Sequence, residues 1–219
     1  MLDKIKKDFK NKKLFEQALT HKSWLNENSK VRESNERLEF LGDAVLEYLV
    51  SKELYRLFPK KREGYLTVLR ANLVNTKNLS QVAKRLDLGM SLYLSKGEEE
   101  GGGRDNPSLL ADTVEAIIGA IFLDRGIDAS EKFVKKYFFS DLSEKLSQPL
   151  KDAKSTLQEK VQARGLPAPI YHVVSESGPD HSKNFVVEVK IASRVATGEG
   201  KNKGEAEQRA ATDALGKGL

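Results

Sequence analysis

The chain has 219 residues, enough for one or two domains with a sizeable core, and its formal net charge is +5. This charge favours an anionic partner only weakly, because 32% of the residues are charged and both signs are common. The absence of cysteine excludes disulfides and thiolate metal sites. No apolar run reaches the length of a membrane span and the N-terminus is too charged for a signal peptide, so we expect a soluble cytoplasmic protein without membrane contact.

The N-terminal region shows helical periodicity and lacks the alternating pattern typical of strands. Residues 14–24 have apolar positions at helical spacing and include a polar Thr-His-Lys-Ser run. His21 in this run has no Asp in an obvious triad order, and we interpret it as a capping or packing residue. Ser34 or Asn35 is expected to cap the helix that follows.

The segment 35–48, NERLEFLGDAVLEY, combines acidic and apolar residues in a helical pattern. On a helix its carboxylates recur at spacings of three and four residues and share one face; they are Glu36, Glu39, Asp43 and Glu47. The other positions are mostly apolar, so we expect a helix that is buried nearly all round. Ionised carboxylates buried side by side are costly unless a cation or hydrogen-bond donors compensate. A solvated acidic face is the alternative that the pattern leaves open.

Helices are predicted in the next part of the chain as well, at residues 51–58, 65–75 and 76–86. The first of these is expected to stop at Pro59. Residues 96–104, KGEEEGGGR, have no apolar side chain and three consecutive glycines, which predicts a flexible loop. Pro107 and Ser108 then suit the first turn of another helix.

A second helix of acidic and apolar residues is predicted at residues 109–123, LLADTVEAIIGAIFL, with Asp112 and Glu115 on one face. Gly119 continues that face. A glycine inside a helix costs about 1 kcal/mol relative to alanine, so we expect another backbone or a ligand to approach it closely. With Glu39 and Asp43, these acids offer the hard oxygen ligands that Mg²⁺ or Mn²⁺ prefers. Spacing alone leaves open whether the two helices meet.

The character of the sequence changes after residue 148, where a small α+β domain is predicted. Its elements follow the order α-β-β-β-α, at residues 154–164, 171–176, 184–192, 195–200 and 203–215. The second strand alternates between apolar and other residues from Phe185 to Ile191. We therefore expect a mostly helical domain over residues 1–147, a linker over residues 148–152 and the α+β domain over residues 153–219.

The two acidic segments resemble the ribonuclease III family, double-stranded-RNA endonucleases that include Dicer. NERLEFLGDAVLEYL is similar to the family signature and LADTVEAIIGAIFLD to its second acidic segment, in the family's order and separation. The resemblance implies an all-helical endonuclease domain that uses Mg²⁺, with Mn²⁺ as a substitute, and no small-molecule cofactor. It implies staggered cuts that leave 5′-phosphate and 3′-hydroxyl ends, in the processing of ribosomal RNA precursors and other structured RNAs.

The resemblance also implies roles for individual acids. The metal ligands would be Glu39, Asp43, Asp112 and Glu115, of which Asp43 and Glu115 are counted as catalytic. Glu36 and Glu63 would support the site from just outside the ligands. Two alternatives from other classes stay open: a protein that binds duplex RNA without cutting it, and a di-iron carboxylate bundle. The bundle expects Glu-x-x-His pairs, whereas all three histidines lie outside the acidic helices: His21, His172 and His181.

The C-terminal domain, with its GPDHSK turn and GKNKGEAEQRAA run, resembles the double-stranded-RNA-binding domain. The resemblance implies that RNA is contacted by Gln158, Glu159, His181, Lys183, Lys201 and Lys203. Gly204 departs from the family, which usually has a further basic residue there, so we expect one phosphate contact to be missing.

Phe40 is predicted to lie on the acidic side of its helix, about 40° from Glu36 and away from the apolar face near Leu38 and Leu41. A large aromatic residue in this position predicts a partner surface. The family resemblance implies a two-fold homodimer in which this aromatic enters a pocket on the other subunit. The alternative is that Phe40 belongs to the ordinary core.

Overall fold

A computed structural model describes residues 2–28, 31–140, 142, 153–179 and 182–218 of the chain. The chain divides into two compact units, residues 1–148 and residues 149–219. The first unit is helical and the second is α+β, which confirms the fold class expected from the sequence. Within the described ranges, no helix combines the length and apolar character needed to cross a bilayer.

The helices of the first unit are joined by short connections, with 3₁₀ turns at Gly89–Ser91 and Gly103–Asp105. In chain order they are α1 Leu2–Asp8, α2 Lys12–Ala18, α3 Lys22–Leu25, α4 Glu36–Leu57, α5 Glu63–Val74, α6 Thr76–Arg85, α7 Lys96–Glu100, α8 Pro107–Arg125 and α9 Ile127–Phe138. Helices α4 and α8 pack along each other in the centre of this unit. Most of α8 is buried, as its apolar sequence requires.

The first acidic helix differs from its prediction in two respects. It is a single helix through residue 57, because no glycine or proline interrupts it between Tyr48 and Pro59, and a separate helix at residues 51–58 is therefore wrong. It is also less buried than expected, since the side chains of Asp43 and Ala44 are exposed and Tyr48 is 56% exposed. One face of α4 is thus open to solvent.

Local hydrogen bonds explain two further differences. The segment expected to be a flexible loop contains α7, because the Ser95 side chain caps it by accepting from the Glu98 backbone N–H at 3.3 Å. Arg104 then fixes the glycine-rich turn by donating to Glu99 at 2.7 Å and to the Gly89 carbonyl at 2.9 Å. In the N-terminal segment the helix is interrupted at Thr20, which pairs with Tyr93 in an isolated bridge.

The caps of the two acidic helices differ. The side chain of Asn106 accepts from the Ser108 backbone N–H at 2.9 Å, and Pro107 occupies the first turn of α8, as predicted. Asn35 stands at the N-cap position of α4, but its side chain makes no capping hydrogen bond. Ser34 instead donates to the Glu36 carboxylate at 3.1 Å.

The second unit is a three-stranded antiparallel sheet in the order β1-β2-β3, packed against two helices. Its elements are α10 Ala153–Ala163, β1 Ile170–Ser177, β2 Asn184–Ile191, β3 Arg194–Gly200 and α11 Lys203–Gly216. The alternation predicted for β2 is confirmed, because Phe185, Val187, Val189 and Ile191 all point into the core. The pairing of β1 with β2 shifts register between Val173 and Ser175, which marks a bulge.

Candidate metal centre

Three carboxylates from two helices come together in the first unit. They are Glu39 of α4 and Asp112 and Glu115 of α8, and one oxygen from each lies within 4.8 Å of the others. All three side chains are half-buried, so they are partly removed from water and still open on one side. The acidic helices therefore meet, which the spacing of the sequence could not establish. We call these three residues the acidic cluster.

Burial raises the pKa values of all three acids in the cluster, although the charge on Lys22 partly offsets the shifts of Glu39 and Asp112. The pKa of Glu115 is raised to about 8, first by burial and next by the charge on Asp43. Burial is also the main cause that raises the pKa values of Glu39 and Asp112, and the charge on Asp112 adds to the shift of Glu39. An all-oxygen donor set under mutual repulsion fits a hard divalent cation, which would stabilise the ionised carboxylates.

Asp43 lies one turn beyond Glu39 on α4 and is exposed. It is not one of the three residues whose oxygens lie within 4.8 Å of one another. Its charge nevertheless raises the pKa of Glu115 more than the charges on Asp112 and Glu39 do. Asp43 is therefore an exposed acid whose charge acts on Glu115.

A cavity of about 220 Å³ adjoins the acidic cluster and is lined by Glu39, Asp112 and residues of α3 and α4. Lys22 in this lining donates to Glu36 at 3.2 Å, and this hydrogen bond is the main cause that lowers the pKa of Glu36. His21 caps α3 by accepting from the Ser23 backbone N–H, which confirms its capping interpretation. Lys22 was missed by the sequence reasoning, although it belongs to the same Thr-His-Lys-Ser run.

The remaining acid of the stripe on α4, Glu47, has its own partner. Arg70 of α5 pairs with Glu47 at 3.0 Å and donates to the Ser51 hydroxyl at 2.9 Å. Glu47 still adds to the raised pKa of Glu115, but less than each acid of the cluster does. Nothing in the sequence signals the Arg70–Glu47 pair, because it depends on how α5 packs against α4.

Glu63 is the first residue of α5, where its carboxylate accepts from the Thr67 hydroxyl at 2.7 Å. It is exposed, and it is neither in the acidic cluster nor among the charges that shift the pKa of Glu115. Glu36 lies in the lining of the adjoining cavity, and its charge raises the pKa of Glu39. Of the two residues expected to support the site, the structure therefore places Glu36 beside it.

The side chain of Phe40 on α4 is 80% exposed. The alternative that Phe40 belongs to the core of its own unit is therefore wrong. Tyr48 and Tyr55 of the same helix are 56% and 77% exposed. Positions 40, 44, 48 and 55 fall on one side of a helix, within about 80° of one another. We call this set the aromatic face of α4. An exposed apolar surface of this kind marks an interaction site more often than a scattered surface residue does.

Comparison with known proteins assigns both units. Residues 11–142 match the model of the family described as ribonuclease-III-like, and residues 153–217 match the double-stranded RNA binding motif. The chain belongs to the ribonuclease III family. The acidic cluster lies within the part of the chain that matches this family, and it contains no histidine of the kind a di-iron bundle expects.

Two relatives show that the similarity to the ribonuclease III family extends over nearly the whole chain. A protein named Ribonuclease 3 from Natranaerobius thermophilus is 50% identical over 200 residues, covering 91% of this chain and 87% of the relative. Ribonuclease 3 from Geobacillus kaustophilus is 46% identical over 215 residues, covering 97% of this chain and 87% of the relative. Both domains and their order are therefore shared with these relatives.

Two solved structures of the nuclease domain of ribonuclease III from Campylobacter jejuni resemble the first unit. One is 42% identical with a TM-score of 0.58 and covers 64% of this chain and 94% of that chain. The other is also 42% identical, with a TM-score of 0.57, and covers 63% of this chain and 99% of that chain. The second is described as showing structural flexibility in a region involved in dimer formation.

The residues expected to contact RNA all belong to the second unit. One of them, His181, falls outside the described residues. Gln158 and Glu159 are exposed on α10, and Lys201 and Lys203 are exposed at the start of α11. Asn202 caps α11 by accepting from the Glu205 backbone N–H at 2.9 Å. This cap orients the N-terminus of α11 between two lysines, which is the arrangement that favours a phosphate.

Lys183 and Gly204 affect how much positive charge the second unit offers to RNA. Lys183 precedes β2 and pairs with Glu176 at 2.7 Å, so part of its charge is already neutralised. Gly204 is exposed in the first turn of α11, and a Cβ added there would meet only the Asn202 side-chain oxygen at 3.5 Å. The structure therefore leaves room at position 204 for a basic side chain.

Proposed function

We propose that this ribonuclease III-family enzyme holds a divalent cation, Mg²⁺ or Mn²⁺, with Glu39, Asp43, Asp112 and Glu115 and hydrolyses double-stranded RNA. The observation that carries this proposal is the acidic cluster, whose carboxylates are half-buried together, and where burial and then the neighbouring negative charges raise the pKa of Glu115 to about 8. Such a group is stabilised by a cation and destabilised without one. In this proposal Asp43 and Glu115 are the catalytic acids and Glu36 supports them. Glu63 was expected to support them too, but none of its described contacts is with these acids.

The cation, when bound, supplies a water of lowered pKa and neutralises charge on the phosphate. The chain's own residues hold the ligand oxygens in place, because Glu39, Asp112 and Glu115 stand on helices rather than on loops. Asp43 is exposed and its charge acts on Glu115, so it is the acid best placed to meet the substrate side of the site. Lys22 holds Glu36 at the edge of the adjoining cavity and offers a positive charge to an arriving phosphate.

In this proposal the second unit supplies affinity for the duplex. A-form RNA hides its bases in a narrow groove, so recognition rests on shape, phosphates and 2′-hydroxyls with little sequence preference. Lys201 and Lys203 beside the N-terminus of α11 would bind phosphate, while Gln158 and Glu159 on α10 would face the minor groove. Ribosomal RNA precursors and other structured RNAs in the cytoplasm are substrates that fit such a shape reader.

We place the homodimer interface on the aromatic face of α4. Phe40 presents a large apolar side chain to solvent, and a two-fold interface would bury it twice. Each subunit would then cut one strand, leaving staggered 5′-phosphate and 3′-hydroxyl ends.

The decisive experiment compares the Glu115→Gln variant with the unchanged protein on a long RNA duplex. Gln keeps the shape of Glu but removes the charge that a cation requires. We expect the variant to retain the duplex in a gel shift and to lose cleavage in Mg²⁺ by at least a hundredfold. Glu100→Gln is the matched control, because Glu100 is exposed on α7. Full cleavage by Glu115→Gln would contradict the assignment, and duplex retention without cleavage by the unchanged protein would favour the non-cutting alternative.

A further inference from the structure

A second cavity lies in the helical unit, between α1, the end of α8 and α9, and its volume is about 240 Å³. Its floor is apolar and includes the buried side chains of Ile5, Phe9, Ile121 and Phe133. None of its lining residues belongs to the acidic cluster or to the cavity beside that cluster. The chemistry proposed above therefore leaves this cavity unexplained.

The rim of this cavity is strongly basic. Four cations line it against a single carboxylate; they are Lys4, Arg125, Lys132 and Lys136, opposed by Asp8. The pairing of Arg125 with Asp8 is loose, at 3.9 Å. Within the described part of the chain, Lys4 and Lys132 have no carboxylate within ion-pair distance, whose limit is 4.0 Å. The rim thus carries positive charge that an anionic ligand would neutralise.

The wall of the cavity suits a flat ring. Phe133 and Tyr137 form a tilted aromatic pair with centroids 4.8 Å apart, and both are buried. A preformed aromatic wall with basic groups at its edge is the combination that binds an unstacked nucleobase and its phosphate. Pockets for drug-sized ligands begin at about 300 Å³. A cavity of about 240 Å³ therefore has room for a single base rather than for a larger molecule.

We infer that this cavity binds a nucleoside monophosphate group, with the base on the apolar floor and the phosphate on the basic rim. The group has two possible sources with the same chemistry. One is a free nucleotide, and the other is the 5′-phosphorylated end of single-stranded RNA. The inference does not rest on the metal centre, so either can fail without the other.

The test is a calorimetric titration of the full chain with adenosine 5′-monophosphate in EDTA, which removes divalent cations from the acidic cluster. Adenosine and inorganic phosphate serve as half-ligands. Because both parts of the cavity contribute, we expect the nucleotide to bind at least tenfold more tightly than either half-ligand. No saturable binding of the nucleotide or of RNA up to millimolar concentration would overturn the inference.

Two variants locate the binding. Lys132→Ala removes a rim charge from an exposed position, and Ala129→Leu fills the cavity without changing charge. We expect each to weaken binding at least tenfold, whereas Lys77→Ala on α6 leaves it unchanged. Thermal unfolding shows which variants are folded. If Ala129→Leu does not fold, Lys132→Ala still decides the test. Unchanged binding in Lys132→Ala and in a folded Ala129→Leu would place the ligand elsewhere and overturn the inference.

A 5′-phosphorylated single-stranded pentamer distinguishes the two sources. If the pentamer competes with the free nucleotide and loses affinity in Lys132→Ala, the source is RNA. If only the free nucleotide binds and depends on Lys132, the source is the nucleotide pool. Both results support the cavity as the site.

Discussion

Gly42 of α4 and Gly119 of α8 lie where each helix meets the backbone of the other. A Cβ added to Gly42 would stand 1.8 Å from the carbonyl oxygen of Glu115, and one added to Gly119 would stand 2.2 Å from that of Leu38. Leu38 precedes Glu39 in the chain, so both contacts adjoin members of the acidic cluster. The close crossing of the two helices thus sets the distance between their carboxylates.

We predict that Gly42→Ala and Gly119→Ala each separate α4 from α8. The obstructing atoms are backbone atoms, so the helices must move, and we expect a loss of about 3 kcal/mol in the free energy of unfolding. The affinity for Mg²⁺ should fall in any variant that still folds. Gly64→Ala in α5 is the control, because a Cβ there meets nothing within 4 Å, and it should leave stability equal or slightly higher. Wild-type stability in Gly42→Ala would refute this account of the crossing.

The raised pKa of Glu115 predicts how the metal-free protein responds to pH. Between the ordinary value of 4.5 and about 8, the unfolded chain loses a proton that folded Glu115 keeps, so stability falls as pH rises. The Glu115→Gln variant has no carboxyl group at this position, so it does not undergo this fall in stability. At pH 8 in EDTA we expect the variant to be more stable by about 2 kcal/mol, a figure reduced for the solvent exposure of the site.

Thermal unfolding at pH 4.5 and pH 8 tests this prediction. The difference between Glu115→Gln and the unchanged protein should vanish at the lower pH. Mg²⁺ at pH 8 should then raise the melting temperature of the unchanged protein and have little effect on the variant. An equal gap at both pH values would mean that the substitution acts through packing and not through charge.

The exposed ring of Phe40 predicts a dimer that one substitution weakens twice. Burying a phenylalanine is worth about 1.5–3 kcal/mol, so Phe40→Ala should weaken a two-fold dimer by several kcal/mol. Because the ring is 80% exposed within the unit, the thermal stability of the monomer should change little. Met90→Ala is the control, since Met90 is 71% exposed on another part of the unit. Light scattering that gives the 24.4 kDa monomer mass for the active, unchanged protein would refute the dimer.

Gly204 predicts a gain of affinity. Gly204→Lys should add a phosphate contact at the start of α11, because a side chain there is accommodated. We expect several-fold tighter binding of duplex RNA at moderate salt and a slope against salt that is steeper by about one. Gly216→Lys adds the same charge at the other end of α11, where a Cβ also meets nothing, and it should change neither quantity as much. Equal gains from both variants would indicate a general effect of net charge.

The faces of the acidic helices could be predicted from the sequence, because the helical period decides which side chains lie together. It predicts that Asp112 and Glu115 share a face. The glycine inside the helix separately predicts that another backbone or a ligand approaches Gly119, and the approach of a backbone is confirmed. The meeting of α4 with α8 could not be derived in this way. It depends on tertiary packing, and only the family resemblance implied it.

The errors have local physical causes. Residues 96–104 are rich in glycine and charge, yet Ser95, just outside that segment, caps α7 and Arg104 makes hydrogen bonds to Glu99 and Gly89. The Arg70–Glu47 pair was invisible because the two residues stand on different helices. Interactions between elements thus account for what periodicity and composition could not predict.

The bulge in β1 has a consequence for the protein in concentrated solution. β1 is an edge strand of its sheet, and Val174 at the bulge is 60% exposed. A flat apolar edge would offer its free N–H and C=O groups to a strand of another molecule and so promote aggregation. The extra residue twists the strand locally and breaks that row of groups. A single residue thereby makes the β1 edge a poor template for a strand of another molecule.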